Sequence, residues 1–485
     1  MAFTGIGAAG FAAVGTGRAD TEPASPEPAV GATRTHRSSE APVNVREFGA
    51  MGDGVADDRT AIQAAIDSIR DAGGTVFIPR GVYRLSLDRE AELGLKFYSN
   101  MQIIGAGRGN TVLKWQDDVT TASQHYLLAG AGGFVENVTI ADFEIDGNKQ
   151  GRGNATFQIR GEGIEIDGKN IVIRNMYIHD VLGEGIDCDV ADGLFISHVI
   201  VENTGGNGIH CSDARVRHVM ISNCITRNCA HGRRHSGNRR YGGLVLRGSD
   251  IYVDQHISVD DAQIASIEGQ GRGESSMIAL SGVAGRSESM DAEGFRVGMQ
   301  GRVVLSHCRS MLPNSNRNAY RANGFDGSLH LQHCFAENGD GVAYEIAMKG
   351  ALSIESCEAV AHSGGNRTHG YRLEVEGRGV IRNSTSLDSN AADDGSLTQD
   401  AAAIEVDGPA QPGRTDFVIT GNRVAGGINS VRVSDRVGKG FVHGNICDGR
   451  ILLDGSGITC VSNVTARVID NGSNNTVESN YQPSD

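Results

Sequence analysis

The amino-acid sequence predicts an all-β fold, a single-stranded right-handed parallel β-helix with an N-terminal capping α-helix. Two observations carry this prediction. A four-residue phrase recurs along the chain, with its first three copies 22 and 23 residues apart, and a second phrase follows it about ten residues later. A period of this size, built from short alternating runs, is typical of a solenoid in which each repeat forms one turn.

The first phrase consists of a glycine or alanine, an apolar residue, a variable residue and a second apolar residue. The variable residues Glu165, Asp187 and His210 are separated by 22 and 23 positions, and Glu345 follows Arg321 by 24. Period-2 alternation directs the apolar residues into the solenoid and the variable residue out of it. Eight copies occur, at residues 163–166, 185–188, 208–211, 243–246, 294–297, 343–346, 370–373 and 403–406.

The second phrase supplies a further strand and a turn in each repeat. Copies occur at residues 170–175, 194–198, 219–223, 329–333 and 380–383. Leucine-rich repeats would require regular leucines in a stricter consensus, which this sequence lacks. Asparagine tolerates left-handed backbone geometry, so one structural asparagine ladder is expected at the strand ends. Its predicted members are Asn175, Asn223, Asn383, Asn422, Asn445 and Asn463.

The nine cysteines follow the repeat rather than a metal-ligand or disulfide pattern. Cys224, Cys308, Cys334 and Cys357 recur at one place in the second phrase, and Cys188 and Cys211 match each other in the first. We therefore expect a stacked column of small apolar thiols inside the solenoid, without disulfide bonds.

Composition divides the chain into three regions and limits the kinds of partner that it is expected to bind. Residues 1–42 form a signal-like apolar segment followed by a linker, residues 43–470 form the β-helix, and residues 471–485 form a polar tail. The apolar start indicates a secreted, extracellular protein. A net charge of −15 argues against a nucleic-acid partner. No apolar run approaches the ~20 residues of a membrane span. The oligomeric state is left open.

A strand, a helix and a second strand open the β-helix. Residues 43–50 are strand-like, Asp57 and Asp58 stand where carboxylates cap a helix, and the helix is expected from Thr60 to about Asp71. Its buried stripe comprises Ala61, Ile62, Ala65, Ile66 and Ile69. The helix is expected to cover the open apolar end of the solenoid.

These motifs strongly resemble the N-terminal segment of the pectate-lyase superfamily, of the pectate-lyase-3 type. The resemblance covers roughly residues 43–250 and includes residues 103–107 and 143–148. The superfamily contains polysaccharide lyases, some glycoside hydrolases, alginate epimerases and phage tailspikes. The resemblance therefore implies a parallel β-helix that acts on or binds a polysaccharide.

Within the superfamily, residues 184–189 resemble the catalytic phrase Tyr-Gly-Phe-Asp-Pro-His of mannuronan C5-epimerase modules. The resemblance implies that Asp187 is the catalytic aspartate. The tyrosine and histidine of the phrase are replaced by Glu184 and Asp189. Since those two residues supply much of the family's acid/base chemistry, this chain departs from the family where the reaction is carried out.

One outward face gathers the candidate catalytic residues. With Ile164, Ile186 and Ile209 inward, the outward residues on successive coils are Glu165, Asp187 and His210. Two positions further along lie Asp167, Asp189, Ser212 and Arg247, with Asp213 and Asp192 at the margin. Such stacked carboxylates bind a cation, share protons or remain well solvated. Asp167 and Asp189 are candidate Ca²⁺ ligands, and no organic cofactor is expected.

An insertion extends the repeat next to this face. The interval from His210 to Val245 is 35 residues instead of about 23. A basic loop on an acidic protein suits the carboxylates or sulfates of an anionic polysaccharide. The candidate substrate-binding residues are Arg233, Arg234, Arg239, Arg240 and Tyr241 in the loop, together with Asp213.

Three functions remain open from the sequence. A uronate lyase or C5-epimerase would use His210 or Arg247 as the base. A glycoside hydrolase would use Asp187 with Asp189, about 7 Å apart on one strand and suited to inversion, or Asp187 with Glu165, about 5 Å apart and suited to retention. A non-catalytic, tailspike-like β-helix would only bind glycans.

Overall fold

The computed structural model describes residues 41–117, 119, 125–152, 161–230, 242–269, 277–339, 341–361, 369–387, 402–409, 415–425 and 428–482. They contain one α-helix, α1 (Arg59–Ser68), and two short 3₁₀ helices, Val45–Phe48 and Ala131–Gly133.

Forty-two strands make up nearly all of the remaining regular structure in the described part of the chain. Those of the first half are β1 (Val43–Asn44), β2 (Asp53–Asp57), β3 (Gly74–Ile78), β4 (Gly81–Leu85), β5 (Leu93–Phe97), β6 (Met101–Gly105), β7 (Thr111–Trp115), β8 (His125–Gly130), β9 (Val135–Ala141), β10 (Glu144–Asp146), β11 (Gly161–Glu165), β12 (Gly168–Arg174), β13 (Tyr177–His179), β14 (Ile186–Cys188), β15 (Ala191–Ser197), β16 (Ile200–Glu202), β17 (Ile209–Cys211), β18 (Arg217–Ser222), β19 (Ile225–Arg227), β20 (Leu244–Asp254) and β21 (Ile257–Val259).

The strands of the second half include several long ones. They are β22 (Gln263–Gly269), β23 (Met277–Ser281), β24 (Ala284–Arg286), β25 (Glu293–Ser306), β26 (Arg309–Leu312), β27 (Tyr320–Gln332), β28 (Phe335–Asn338), β29 (Tyr344–Glu355), β30 (Glu358–Ala361), β31 (Tyr371–Arg382), β32 (Thr385–Leu387), β33 (Ala402–Asp407), β34 (Thr415–Thr420), β35 (Arg423–Val424), β36 (Asn429–Val433), β37 (Lys439–His443), β38 (Ile446–Cys447), β39 (Arg450–Leu453), β40 (Ile458–Val461), β41 (Arg467–Asp470) and β42 (Thr476–Glu478).

These strands form three parallel ladders that run along the solenoid. Ladder A contains β5, β8, β11, β14, β17, β20, β22, β25, β27, β29, β31, β33, β36, β39 and β41. Ladder B contains β1, β3, β6, β9, β12, β15, β18, β20, β23, β25, β27, β29, β31, β34, β37, β40 and β42. Ladder C runs from β2 and β4 through β7, β10 and β13 to β38. The long strands β20, β25, β27, β29 and β31 belong to both A and B. Each coil thus passes through A, B and C in turn, which is the parallel β-helix that the repeat predicted.

Glycine makes the bend between ladders A and B possible in the long strands. Gly327, Gly350 and Gly377 stack on successive coils with φ of 149°, 105° and 139°. A Cβ at any of them would lie 2.0–2.1 Å from the carbonyl oxygen of the glycine on the preceding coil. Only glycine fits this corner, because both the backbone angle and the space exclude a side chain.

The interior is apolar and contains the predicted column of thiols. Cys224, Cys308, Cys334 and Cys357 are buried and free, as are all nine cysteines. Cys308, Cys334 and Cys357 follow strands paired in register on three successive coils, whereas His256 and Val283 separate them from Cys224. The prediction of buried, unbonded thiols in register is confirmed.

A stack of aromatic rings faces this column across the core. The ring centroids of Phe295, Tyr320, Tyr344 and Tyr371 follow one another at 4.9, 4.7 and 4.7 Å. Each tyrosine hydroxyl donates to the carbonyl oxygen of one column cysteine, at 2.7–3.0 Å. The buried hydroxyls thereby find partners at the turn between ladders B and C.

The expected single asparagine ladder is two neighbouring columns. Asn175, Asn223 and Asn383 have φ of 51–53° and occupy the left-handed turn position at the end of ladder B. Asn422, Asn445 and Asn463 stand one residue later, buried in the position that cysteines occupy on earlier coils. There Asn422 Nδ2 donates to Asn445 Oδ1, and Asn445 Nδ2 to Asn463 Oδ1, both at 2.9 Å. The repeat period predicts the spacing of these residues correctly. The two columns differ by one residue in position, so one lies in the turn and the other in the core.

Helix α1 is shorter than predicted and begins differently. It spans Arg59–Ser68, and Ile62, Ala65 and Ile66 are fully buried. The carboxylate of Asp58 does not cap it. That carboxylate instead accepts hydrogen bonds from the amides of Met51 and Gly52, at 2.6 and 3.1 Å. That the helix covers the open end of the solenoid stays a prediction.

The ladders continue into the segment expected to be a polar tail. Strand β42 pairs with β40, and Tyr481 forms an isolated parallel bridge with Val464. Among the described residues, no helix has the length and apolarity needed to cross a membrane.

Candidate active site

Ladder A places three of the predicted residues side by side. Glu165 of β11 is paired with Asp187 of β14, and Asp187 with His210 of β17. Their chain neighbours Ile164, Ile186 and Ile209 are fully buried. A register slip of one residue would exchange the two sets, so this pairing establishes which side chains face outward.

These outward residues of ladder A, together with Asp167 and Asp189 beside them, are called the strip. A histidine–aspartate pair forms its centre. His210 Nδ1 lies 2.8 Å from Asp187 Oδ1, and the two side chains are 22% and 13% exposed. Burial acts to lower the pKa of His210, but the hydrogen bond to Asp187 and nearby carboxylates outweigh it and raise the pKa. Because Nδ1 is engaged by Asp187, Nε2 is the ring atom left to exchange a proton with a ligand.

Asp189 and Asp167 lie beside this pair and are held by different partners. Ser212 Oγ donates to Asp189 Oδ1 in a short hydrogen bond. Asp167 Oδ1 accepts from the amides of Asp189 and Val190, at 2.8 and 2.7 Å. Burial raises the pKa of both carboxyls. Asp167 therefore fixes the turn after β14 with one of its oxygens, which leaves it less available as the Ca²⁺ ligand expected from the sequence.

Two buried glutamates below the strip were not recognised as site residues from the sequence. Glu162 and Glu184 occupy equivalent positions on consecutive coils and are 1% and 6% exposed. Burial, together with neighbouring carboxylates, raises the pKa of Glu162 and of Glu165 to about 9. A signal was present in the sequence, because Glu-Gly-Ile-acid occurs at 162–165 and again at 184–187, in register.

Among the described residues, the carboxylates of Glu162, Glu184 and Asp187 form a group that could hold a cation. One oxygen from each lies within 4.8 Å of the others. A second such group, Asp146, His179 and Asp180, lies on ladder C and the turn after it. The negative charge of the second group is partly balanced, because the group contains a histidine and its Asp146 pairs with Lys114 Nζ at 2.7 Å.

The remaining predicted residues lie at the edge of the strip or outside the described part of the chain. Arg247 donates to the carbonyl of Ser212 at 3.4 Å and pairs with Glu268 at 3.7 Å. Asp213 is paired with Arg215 at 2.9 Å, and this hydrogen bond lowers the pKa of Asp213. The loop residues Arg233, Arg234, Arg239, Arg240 and Tyr241 lie outside the described residues.

The same outward column continues along ladder A with charged residues of both signs. Arg296 is followed by Arg321, Glu345, Arg372 and Glu405 on successive coils. Arg321 and Arg372 pair with Glu345 at 3.4 and 3.6 Å. Val245 and Ser266 thus separate the section with Glu165, Asp187 and His210 from a section whose charges largely pair with one another.

Comparisons with known proteins place this site in a matched region. Residues 42–243 match the model of the family described as rhamnogalacturonase A/epimerase, pectate lyase-like. The mannuronan C5-epimerase AlgE2 of Azotobacter vinelandii is 34% identical over 242 residues, which cover 45% of this chain and 24% of that protein. Alginate lyase 7 of the same organism is 33% identical over 196 residues, covering 34% and 23%. The chain spans about a quarter of the length of these relatives.

The fold also has solved counterparts. The N-terminal fragment of bacteriophage phi29 gene product 12 aligns over 90% of this chain and 91% of its own, with a TM-score of 0.51 and 15% identity. At that identity the likeness concerns the fold alone. The resemblance to the pectate-lyase superfamily, and to mannuronan C5-epimerase modules within it, is confirmed.

Proposed function

We propose that this protein modifies an acidic polysaccharide by removing the C5 proton of a uronate residue, as a lyase or a C5-epimerase. The observation that carries the proposal is the outward pair of His210 and Asp187, flanked by Glu165 and Asp189. All four residues lie inside residues 42–243, which match the model of the family described as rhamnogalacturonase A/epimerase, pectate lyase-like.

The proposed chemistry assigns a role to His210, Asp187 and Arg247. His210 Nε2 takes the C5 proton while Asp187 holds the ring and stabilises the imidazolium that forms. The electron pair of the broken C5–H bond moves into the substrate carboxylate, which must be neutralised for this to occur. Arg247, 38% exposed at the edge of the strip, is suited to pair with that carboxylate. Since arginine stays protonated, Arg247 is a carboxylate binder rather than a base.

The intermediate can then follow two courses. In a lyase, the C4–O bond breaks as the C4=C5 double bond forms, and the leaving oxygen takes a proton. In an epimerase, a proton returns to C5 on the opposite face of the sugar ring. Neither course requires an organic cofactor. Because the proposed substrate is a polymer, the reaction is placed outside the cell, in line with the apolar segment at residues 2–17.

A glycoside hydrolase is the second candidate, because the matching family model carries a rhamnogalacturonase in its description. In that reaction Asp187 and a second carboxyl would act as the catalytic pair. The two candidates differ in their products, since elimination leaves an unsaturated uronate and hydrolysis does not.

A panel of uronate-containing polysaccharides, followed by ultraviolet absorbance, reducing ends and NMR, tests the proposal. Reducing ends with absorbance identify a lyase, and reducing ends alone identify a hydrolase. A change in C5 configuration identifies an epimerase. Asp187→Asn and His210→Gln are expected to lower turnover by roughly 100-fold or more.

A matched control is the pair of His218 and Asp192 on ladder B, where His218 Nδ1 lies 2.7 Å from Asp192 Oδ1. His218→Asn is expected to keep full activity. Full activity in Asp187→Asn would refute the assignment of this strip as the catalytic site.

A further inference from the structure

An exposed phenylalanine on ladder B lies far from the strip. Phe441 of β37 is 39% exposed and stands in the outward column of ladder B. Strand β37 is eight coils beyond β18, the ladder B strand of the coil that carries His210. At about 4.8 Å per coil, the two positions are roughly 40 Å apart along the solenoid. Phe441 therefore lies on another face and on other coils than the strip does.

Phe441 borders a cavity of about 630 Å³ whose walls are mainly apolar. Val380, Val418 and Phe441 follow one another on successive coils, outward and in register. Beneath them Phe417 is 3% exposed, and a Cβ at Gly379 would overlap its ring. Glycine at this position therefore lets the Phe417 ring pack inward, below the apolar surface of the cavity.

One face of the Phe441 ring is turned toward this cavity. The ring of His443, two residues further along β37, stacks on Phe441 with a centroid distance of 5.5 Å and an interplanar angle of 14°. Lys439, two residues before Phe441, lines the cavity, whereas His443 does not. The face of the ring that is turned away from His443 is therefore the face that borders the cavity.

A row of charged residues runs beside the apolar wall. Arg378, Asp416 and Lys439 pair in register on successive coils and all line the cavity. All three are exposed, and neither basic side chain forms an ion pair with a described residue. Two cations and one acid give this row a net positive charge, on a protein whose net charge is −15. The row therefore attracts an anionic ligand.

We propose that this cavity binds a uronate residue of an acidic polysaccharide, with the apolar face of the sugar on Phe441 and its carboxylate at Lys439. A pyranose ring carries C–H groups on its faces and polar groups at its edge, so it can pack on an aromatic ring while its carboxylate reaches a cation. Lys439 and Phe441 are two residues apart on one strand, roughly 7 Å between Cα atoms. Asp416 is placed to accept a hydrogen bond from a sugar hydroxyl. The choice of a uronate rests on the proposed function.

A second binding site on the same polymer has a consequence for long substrates. A chain that is held in the cavity on ladder B stays close to the strip, which raises its effective concentration there. Short fragments cannot span the distance between the two sites. The cavity is therefore expected to lower KM for long chains and to leave kcat unchanged.

Phe195 provides a matched control on the same ladder. It stands in the same outward column as Phe441 and is 45% exposed. The charges beside it are paired, since Arg217 lies 2.8 Å from Asp192. Phe195→Ala thus removes an equally exposed ring without an adjacent unpaired cation.

The test measures binding by calorimetric titration of the full chain with short oligouronates prepared from alginate and from polygalacturonate. Wild type is expected to show a binding event that Phe441→Ala and Lys439→Gln each weaken about fivefold or more, because each removes one of the main contacts. Phe195→Ala and Asp187→Asn are expected to keep this event. With long polymer as substrate, Phe441→Ala is expected to raise KM about fivefold and to leave kcat, and KM for short fragments, unchanged.

Four results would overturn the inference: unchanged binding in Phe441→Ala, an equal loss in Phe195→Ala, equal binding of neutral dextran fragments, or a dimer in sedimentation that Phe441→Ala dissociates. The last result would assign the surface to a second copy of the chain. Lys439→Gln, at an exposed side chain, carries the test should Phe441→Ala fail to fold. Loss of binding in Phe441→Ala without modification of any polymer would reject only the proposed function. Modification of polymers together with unchanged binding in Phe441→Ala would reject only this inference.

Discussion

A buried histidine and a buried aspartate in the core are both hydrogen-bonded to the same threonine. We expect them to change the free energy of unfolding in opposite directions as the pH changes. His256 is fully buried, and its Nε2 lies 3.0 Å from Thr226 Oγ1. Thr226 Oγ1 in turn donates to Asp261 Oδ2 at 2.5 Å. Asp261 also accepts from Ser258 Oγ at 2.6 Å and from the Cys229 amide at 2.7 Å. Burial lowers the pKa of His256 to about 3 and raises that of Asp261 to about 6.

The two pKa shifts change the stability in opposite directions over overlapping pH ranges. Between about pH 3 and 6.5 the unfolded chain binds a proton at His256 that the folded chain does not, so stability rises with pH. Between about pH 4 and 6 the folded chain holds a proton on Asp261 that the unfolded chain has lost, so stability falls as pH rises. The full effects are on the order of 5 kcal/mol for His256 and 3 kcal/mol for Asp261.

His256→Val removes one of these effects with little change in packing. Position 256 lies in the column between Cys224 and Val283, and His256 Nδ1 has no partner among the described residues. At pH 7 the variant is therefore expected within about 2 kcal/mol of wild type. At pH 4 it is expected to be more stable than wild type by several kcal/mol, since protonation of the unfolded histidine no longer competes with folding.

Chemical denaturation of wild type and His256→Val at half-unit steps from pH 4 to 7 measures this difference. Asp261→Asn serves as the converse variant, and its stability relative to wild type should increase as pH rises from about 4 to 6. A difference between His256→Val and wild type that stays constant over this range would refute the reasoning.

Three further predictions concern the core and the helix. Thiol titration is expected to find none of the nine cysteines reactive in the folded protein and all nine after denaturation, because they are buried and free; modification of several in the native state would contradict the register. Tyr344→Phe is expected to lower the free energy of unfolding by about 1–2 kcal/mol, since its hydroxyl lies 3.0 Å from the carbonyls of Cys334 and Glu358; an unchanged denaturation midpoint would count against that role. Ile62→Asp should cost at least about 3 kcal/mol because Ile62 is fully buried in α1, whereas the exposed Thr60→Asp should cost little; equal effects would argue against helix packing at the N-terminal end.

The sequence predicted the architecture well because a solenoid repeats one local rule. Alternation fixes which side chains face outward, and the period fixes which of them stack, so Glu165, Asp187 and His210 could be aligned without coordinates. The same rule also shows why the sequence predicts one asparagine ladder where the structure has two columns. Asn383 and Asn422 both follow a ladder B strand, but one residue separates a left-handed turn from the buried interior.

The rest of the site depends on burial, which alternation does not determine. Glu162 and Glu184 precede the glycine of the first phrase, and neighbouring coils enclose both of them. Thr226 and Asp261 occupy inward positions where the repeat predicts apolar residues. Thr226 Oγ1 donates a hydrogen bond to Asp261 Oδ2 on the adjacent coil. Polar residues inside a solenoid are recognised only when their partners on adjacent coils are known.

The composition of the strip also distinguishes the two reactions proposed for it. The positions that carry tyrosine and histidine in the epimerase phrase hold the buried Glu184 and the serine-bound Asp189, so His210 is the one histidine on the described part of the strip. Epimerisation needs proton delivery to the face opposite the base, whereas elimination can proceed with a single base and a protonated leaving oxygen. We therefore expect elimination, with a C4=C5 double bond and shorter chains. In deuterated water the product should carry no deuterium at C5, because that carbon no longer bears hydrogen. Deuterium at an inverted C5 in chains of unchanged length would show that a second group delivers the proton to the opposite face, and Asp189→Asn would then be expected to abolish it.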